Sequence, residues 1–526
     1  MKNLPVGTQY RDVIKLLPGV QYTENQVIGP SSGSSGQDNV YKFDGVNVTL
    51  PLFGTLSAEP AAYDIAEVTV VKGGAKAVDF DRAGGFLVNS ISKSGTNKLT
   101  GDASFRFRTA SMAAAQVDQL KQYDQTNAWT DLDAGGPIVP NRLFFYGSYY
   151  RPTVSHANSA TAYGSVPDFK ETRNEGYGKV TYTPLHNALI NASYRDSNDV
   201  QKGASFGAFS SSTTGTGNQG RLRIFDSDGN WILNNSSFIT AKFQHFGNLT
   251  EGRPDNTVAT PASIAIGSTI DTAHLDQLGL LTVPKLGSDA TVNAFLQPII
   301  NQYGFQSNGV ATGGGTVGDY YKFDQDNFFR TSGEVAYNLT VSGKGMRHNI
   351  HAGFQRYIDS EDLLRSSNGL GLLTVPGGGV SFQGTPIFYE AAFQQQGFGP
   401  VSPVIHSEYH SNDIELNDEI NWKDWTFNVG LLASHDTIWG QGLQNDSSAL
   451  SGFVASTATT SAGRKYEEYS IPFTKMLQPR LSATWAYNSK GTIYGSYAVY
   501  NPSANSDARA ASWDRNLEKT INAYYD

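Results

Sequence analysis

AEVTVVKGGAKAVDFDRAGGFLVNSISKSGTN, residues 66–97, sets two apolar, β-branched runs on either side of a turn that holds two Gly pairs. A Gly-rich turn after a strand can cradle phosphate when its glycines lead into a helix N-terminus, with a Lys and a Ser/Thr at fixed spacing. Here Gly84-Gly85 leads into FLVNSIS, which reads as a strand, so the context excludes a nucleotide loop. Residues 67–72 and 86–92 are expected to be adjacent strands of a small sheet. Gly73-Gly74 is expected to start the linking turn, and Gly84-Gly85 to give a backbone path that a Cβ would strain.

Outward from this stretch, the first 98 residues read as a small α+β unit. A helix-compatible run at 11–17 meets a Pro18-Gly19 stop, and a Ser/Gly-rich loop follows at 29–39. VYKFDGVNVT at 40–49 is a strand with its turn, and a short helix is expected around 58–63.

From Leu99 the texture changes to strands of about ten residues with alternate positions apolar or aromatic. LTGDASFRFR at 99–108 puts Ala103, Phe105 and Phe107 on one face and Asp102, Ser104, Arg106 and Arg108 on the other. RLFFYGSYYR at 142–151 follows AGGPIVPN, read as a turn, and residues 175–196 are two strands about a Pro-bearing turn that set Tyr177 and Lys179 opposite Val180 and Tyr182. Further strands are expected within 221–247, 328–358, 412–436 and 479–502, with tight turns at Asp228-Gly229, Ser342-Gly343, Lys423-Asp424 and Lys490-Gly491. Long polar insertions at 251–320 and 360–405 alternate with those turns. Short turns at one end and long loops at the other are the layout of an outer-membrane barrel, and Phe144, Phe145, Tyr149, Tyr150, Tyr494, Tyr497 and Tyr500 sit where an aromatic girdle would. A set of β-sandwiches would show the same alternation with loops of more even length.

Composition agrees. Of 526 residues 17% are charged and 12% aromatic, with 55 Gly and no Cys, so neither a disulfide framework nor a Cys-based metal site is available. The net charge of -9 argues against nucleic acid as a partner. The longest uncharged stretch, residues 369–389, carries six Gly and two Pro and cannot be a spanning helix. Mean hydropathy is -0.36, which spanning strands tolerate because lipid-facing and lumen-facing residues average out. The N-terminal twenty residues offer no apolar core of export-signal length.

Three stretches of the N-terminal unit resemble the plug of TonB-dependent outer-membrane receptors of the Oar-like group. These are LPVGTQYRDVIKLLPGV at 4–20, VYKFDGVNVT at 40–49, and IAEVTVVKGGAKAVDFDRAGGFLVNSISKSGTN at 65–97. LDAGGPIVPNRLFFYGSYY at 132–150 is similar to that group's first barrel hairpin, whereas Asp81 stands after Phe80 where the group often has Gly. The resemblance implies a mainly β fold: a transmembrane antiparallel β-barrel, incomplete and of a type with about 22 strands, with a small N-terminal α+β plug domain. It sets the plug at 1–98 and the barrel at 99–526, with Pro18, Gly19, Asp44, Gly45, Lys72, Gly73, Gly84 and Gly85 as structural plug-signature residues.

It also implies a non-enzymatic receptor in the outer membrane of a Gram-negative bacterium, admitting an extracellular peptide, glycan or chelate by energised plug rearrangement and using no cofactor. Its expected partners are a TonB-type energy-transducing inner-membrane complex and outer-membrane lipid. A non-transporting binding or adhesion barrel is the alternative, and a barrel-embedded hydrolase has no residue set in its favour. Residues 99–526 hold roughly 10 to 14 strands at the length a tilted spanning strand needs, so the chain is expected to be a fragment, truncated at both ends, or a subunit that cannot work alone.

Three features stand apart. His406, Glu408 and His410 share one strand face, a pattern that suits a metal site but equally a polar face at period two. Asp226-Ser227-Asp228-Gly229 and Asp324-Gln325-Asp326-Asn327 resemble calcium loops but lack the later Glu, and the first is read as a hairpin turn. The heptapeptide LGLLTVP occurs twice, at 278–284 and 370–376, inside the two long insertions.

Overall fold

The computed structural model describes residues 14–16, 19–23, 35–52, 54–56, 61–72, 76–112, 124–259, 264, 267–396, 404–440, 469–503 and 518–526. No helix among them is long and apolar enough to cross a membrane.

Along the chain come β1 (Val40–Phe43), β2 (Val46–Asn47), β3 (Ile65–Lys72) and β4 (Phe86–Ser92), forming one sheet in the order β2-β1-β4-β3. Asp44 and Gly45 close the β1–β2 hairpin with φ of 51° and 84°, the left-handed pair that an Asp-Gly type I′ turn requires. β3 and β4 are antiparallel neighbours, Lys72 opposite Phe86, and β1 runs parallel to β4. The helix read at 11–17 is a single 3-10 turn at 14–16; residues 11–13, Leu17 and Pro18 lie outside the described residues. The helix read at 58–63 is likewise a 3-10 turn at Ala62–Asp64, with 58–60 outside them.

Next are β5 (Thr100–Arg108), β6 (Thr126–Val139), β7 (Leu143–His156), β8 (Phe169–Leu185), β9 (Ala188–Ser205), β10 (Thr216–Asn234) and β11 (Ser237–Pro254). The first long insertion carries β12 (Leu280–Thr282), α1 (Ala290–Tyr303), β13 (Phe305–Ser307), β14 (Val310–Thr312) and β15 (Thr316–Gly318). After β16 (Lys322–Gly343) and β17 (Met346–Ser367), the second insertion carries β18 (Leu372–Thr374), β19 (Val380–Phe382), β20 (Thr385–Ile387) and β21 (Tyr389–Gln396). The chain continues through β22 (Ile405–Trp422), β23 (Trp425–Gly440), β24 (Tyr469–Ile471), β25 (Leu477–Asn488), β26 (Gly491–Ala498) and β27 (Glu518–Tyr525).

Fourteen of these strands form one antiparallel sheet, running from β26 to β5 with β24 beside β23. Among the described residues it does not close: β5 and β26 each pair on one side only. One face carries an apolar belt left exposed, including Val180, Tyr194, Phe243, Phe354, Leu416 and Val429, as a lipid-facing surface must. At the short-turn end Trp231, Trp422 and Trp485 are exposed, and Trp425 stacks on both Trp485 and Phe427 at 5.5 Å, a girdle position.

Several turns differ from the sequence reading. Asp228 and Gly229 lie inside β10, paired with Asn191 and Ile190 on β9 and with Lys242 and Ala241 on β11; the hairpin closes later, at 235–236. A side-chain bond from Asn191 Nδ2 to Asp228 at 3.1 Å keeps that Asp in the ladder, where its turn propensity is overridden. Ser342 and Gly343 are likewise paired, and the turn is Lys344-Gly345 with φ of 52° and 79°. Gly491 opens β26, leaving 489–490 as its turn, whereas Lys423-Asp424 joins β22 and β23 as read. AGGPIV is strand, with Pro137 paired to Phe144 beside a register shift; past Gly135, β5 no longer pairs β6, so the missing Pro N–H breaks no ladder bond. Both Asp-rich stretches compared with calcium loops lie in strands, β10 and β16.

The linker from β4 to β5 is stapled to the sheet. Lys93 pairs with Asp133 at 2.7 Å, Asn97 Nδ2 donates to Asn141 at 2.7 Å, and a Cβ on Gly95 would collide with the carbonyl of Phe145 and lie 2.9 Å from that of Gly136. Gly95→Ala is expected to lift the linker off the wall at a cost of about 1–3 kcal/mol, read as faster amide exchange confined to 93–98.

The two LGLLTVP copies find each other. β12 and β18 are parallel neighbours, Leu280 opposite Leu372 and Leu281 opposite Leu373, at the centre of a five-stranded sheet ordered β15-β12-β18-β21-β27. Leu281 and Leu373 are buried together with Val283, Val375, Leu370 and residues of α1, so the insertions share one core and form a cap on the long-loop end.

A candidate plug latch

The small sheet lies against the inner face of the large one. Tyr41, Phe43, Val46, Val48, Phe86 and Val88 from the first share a core with Tyr146, Tyr177, Leu222, Ile224 and Phe246 from the second. Around that core the contact turns polar and ionic, because inward positions of the strands recur at every second residue and many of them are charged.

The clearest register is on β22. Tyr409, Ser411, Asp413, Glu415, Asn417 and Glu419 face inward at period two, while Ile414 and Leu416 between them stay exposed. Residues 76–82 run along this face in reverse order. Lys76 pairs with Glu419, the Ala77 N–H donates to Asn417 at 3.0 Å, and the Phe80 N–H donates to Glu415 at 2.8 Å. Arg82 then meets Asp436 of β23 through two parallel bonds of 2.9 and 2.8 Å, and its Nη1 also reaches Ser411 at 3.1 Å and Tyr409 at 3.2 Å. Asp413 lies 3.5 Å from the same nitrogen, and the Arg82 side chain is only 6% exposed. The wall is thinned where the segment presses in: a Cβ on Gly353 would stand 2.9 Å from the Phe80 ring, and one on Gly430 3.0 Å from the Ala77 Cβ. Burial pushes the neighbouring Asp81 carboxyl above the usual carboxylate range, against the Ala83 N–H that it accepts and the charges of Lys42 and Arg480.

A second cluster holds the opposite side. Arg195, buried completely, donates to Asp64 at 2.9 Å and pairs with Glu175, while its guanidinium covers the rings of Tyr177 and Phe43 at 4.4 and 4.6 Å. Glu175 also accepts the Ala61 N–H at 3.0 Å. Asp44, the turn residue, accepts from Tyr177 Oη at 2.8 Å and from the Ser92 N–H at 2.8 Å, with Lys179 at 3.4 Å. On β16, Arg330 forms a two-bond pair with Asp359 at 2.7 and 2.6 Å and donates to the carbonyls of Asn47 and Thr49 at 3.2 and 2.9 Å. A polar cavity of about 70 Å³ is left between the two sheets, lined by Lys42, Asn47, Arg82, Gln244, Arg330 and Tyr357 among others.

The signature residues read from the sequence fare unevenly. Asp44 and Gly45 form the turn whose carboxylate touches the wall. Gly19 is exposed with φ of 72°, Lys72 ends β3, and Pro18 and Gly73 lie outside the described residues. Gly84 and Gly85 need correction: neither has a left-handed φ, and a Cβ on Gly84 would make an ordinary contact of 3.4 Å with Asp38. The left-handed backbone sits earlier, at Asp79 (60°) and Phe80 (49°), where the Glu415 bond holds it. Sequence reasoning missed Arg82, Arg195, Arg330 and their carboxylates. The period-two acids of NDIELNDEINW at 412–422 were the available signal.

His406, Glu408 and His410 do come together. His406 bonds Asp362 at 2.5 Å and Glu408 at 2.9 Å, and His410 bonds Glu408 at 2.8 Å, on the outward face of β22. Among the described residues no group of three or more His, Asp or Glu is arranged to hold a metal ion.

Comparison with known proteins agrees with this architecture. No family model matches the chain. A stretch of 150 residues, 27% of this chain, is 25% identical to the TonB-dependent transporter Oar of Myxococcus xanthus, of which it spans 14%. In fold, the chain is similar over 99% of its length to the outer membrane transporter YddB from Escherichia coli, with a TM-score of 0.66, 11% identity and 62% of that chain covered. It is similar over 93% to BauA, the ferric preacinetobactin receptor from Acinetobacter baumannii, with a TM-score of 0.53, 10% identity and 61% of that chain covered. The chain thus spans about three fifths of the structures it matches and a seventh of Oar. The resemblance to TonB-dependent receptors holds in sequence over that stretch and in fold over nearly the whole chain. The outer membrane is the place of such a fold.

Proposed function

We propose that this chain is the plug-bearing part of an energised outer-membrane uptake receptor. Residues 1–98 are the plug and 99–526 the barrel wall. An extracellular ligand binds at the long-loop end, and a TonB-type inner-membrane complex pulls the plug so that a path opens along the wall. The observation that carries this reading is the ladder between residues 76–82 and the inward face of β22. Along residues 76–82 the contact is made of ion pairs and N–H bonds, mostly to charged groups, which can exchange their partners for water at a net cost of about 1.5–3 kcal/mol each, whereas an apolar seam there would give up its full burial on opening. A device meant to move is better held the first way.

The test is uptake of labelled peptides, glycans and metal chelates by cells that make the receptor, with and without a protonophore. Accumulation that stops when the gradient collapses, with surface binding retained, is the expected result. Retention at the surface that ignores the gradient would instead assign a binding or adhesion barrel.

A further inference from the structure

On the cap, a cleft of about 510 Å³ opens between α1, the β13–β14 hairpin and residues 285–286, with Phe209 from the β9–β10 connection as its outer wall. Three of its apolar side chains are left in water: Phe209 at 53%, Leu286 at 50% and Val310 at 65% exposure. The Phe209 and Phe305 rings stand 5.1 Å apart at 43°, and buried Ile300 forms the floor. The hairpin that presents Val310 is closed by Asn308-Gly309, with φ of 52° and 79°, a type I′ turn that fixes its direction. Apolar side chains gathered in a cleft of this size, with few polar groups, match the makeup of small-molecule sites and not of a random loop surface.

Charge narrows the ligand. Lys285 is the only Lys or Arg between Arg253 and Lys322, a span holding Asp255, Asp271, Asp276, Asp289 and Asp319, yet it lies on the cleft, and among the described residues no Asp or Glu lines it. Its side chain rests on Gly314, where a Cβ would stand 3.1 Å from Nζ, so the ammonium is placed at the mouth by a glycine bed. We infer that this cleft binds a small amphipathic anion, an aromatic body with one carboxylate, its rings against Phe209 and Phe305 and its carboxylate on Lys285. The inference rests on the receptor reading only in taking the cap to face the ligand side.

The test uses the full chain in amphipol with 6-fluoro-2-naphthoate and its neutral amide, followed by ¹⁹F line broadening. The acid is expected to bind about fivefold more tightly than the amide, the worth of one exposed charge pair. Lys285→Gln is expected to abolish that difference while leaving amide binding intact. Phe209→Ser should weaken both probes, and Phe382→Ser, equally exposed on the β19–β20 hairpin, should weaken neither. No binding by either probe, equal binding of acid and amide, or acid binding that survives Lys285→Gln overturns the inference. Binding here needs no energy source, so its failure is separable from a failure of gradient-dependent uptake.

Discussion

Arg82→Met is expected to release the plug segment from the wall and to cost about 3–5 kcal/mol, the usual penalty for removing one partner of a buried pair. The reason lies in what stays behind. Asp436 and Asp413 are fully buried on β23 and β22, and Asp436 takes a bond on each oxygen from the Arg82 guanidinium, with Ser411 Oγ adding one at 2.9 Å. Without the cation, the two carboxylates keep only neutral hydroxyl partners, Ser411 and Tyr409 at Asp436 and Ser411 and Ser434 at Asp413. Hydrogen exchange should show protection lost by a factor of 10² or more over 76–92, with the outer strands unchanged. The compensating variant Arg82→Met with Asp436→Leu and Asp413→Asn should recover much of it, because replacing a buried cation together with the carboxylates it serves is often neutral. If the single variant exchanges like the parent, the ladder is not what holds the plug.

Arg195→Met is expected to be as costly, about 3–5 kcal/mol, but at the opposite side of the plug. Here one guanidinium serves Asp64 of the plug and Glu175 of the wall at once, and both carboxylates are 1% exposed. Its loss takes the paired cation from Asp64, which keeps the Tyr146 hydroxyl at 3.1 Å, leaves Glu175 to Arg173 and the Ala61 N–H, and removes the cation from the faces of Phe43 and Tyr177. Protection should fall in β3 and at 61–64 while residues 76–82 keep theirs. Combining the two Arg variants distinguishes independent anchors from a single cooperative dock: the sites share no partner, so additive losses are expected. A loss in the double variant no greater than in either alone would mean that the plug undocks as one unit.

Much of the architecture was legible in the residues. Period-two alternation located the wall strands, since one face must be apolar wherever lipid touches it, and the Asp44-Gly45 turn followed from the two left-handed φ angles that an Asp-Gly pair tolerates. Turn positions were less legible. Asp228-Gly229 and Ser342-Gly343 have turn chemistry, but ladders formed on both sides of β10 and on both edges of the β16–β17 hairpin outweigh a local preference. Asn308-Gly309, with the same chemistry and no neighbouring strand to oppose it, does turn.

The wall strands, their lipid face and a small β-rich unit ahead of them that resembles a plug were thus readable from the chain alone. Those follow from local periodicity and from short-range backbone sterics, which act within a few residues. That Arg82 meets Asp436, that the acids of β22 serve residues 76–82, and that the two LGLLTVP copies lie side by side came from long-range packing. Each of these joins segments tens to hundreds of residues apart, and a buried charge is held by whichever opposite charge the curvature of the sheet brings within about 3 Å of it, a distance that no spacing along the chain encodes.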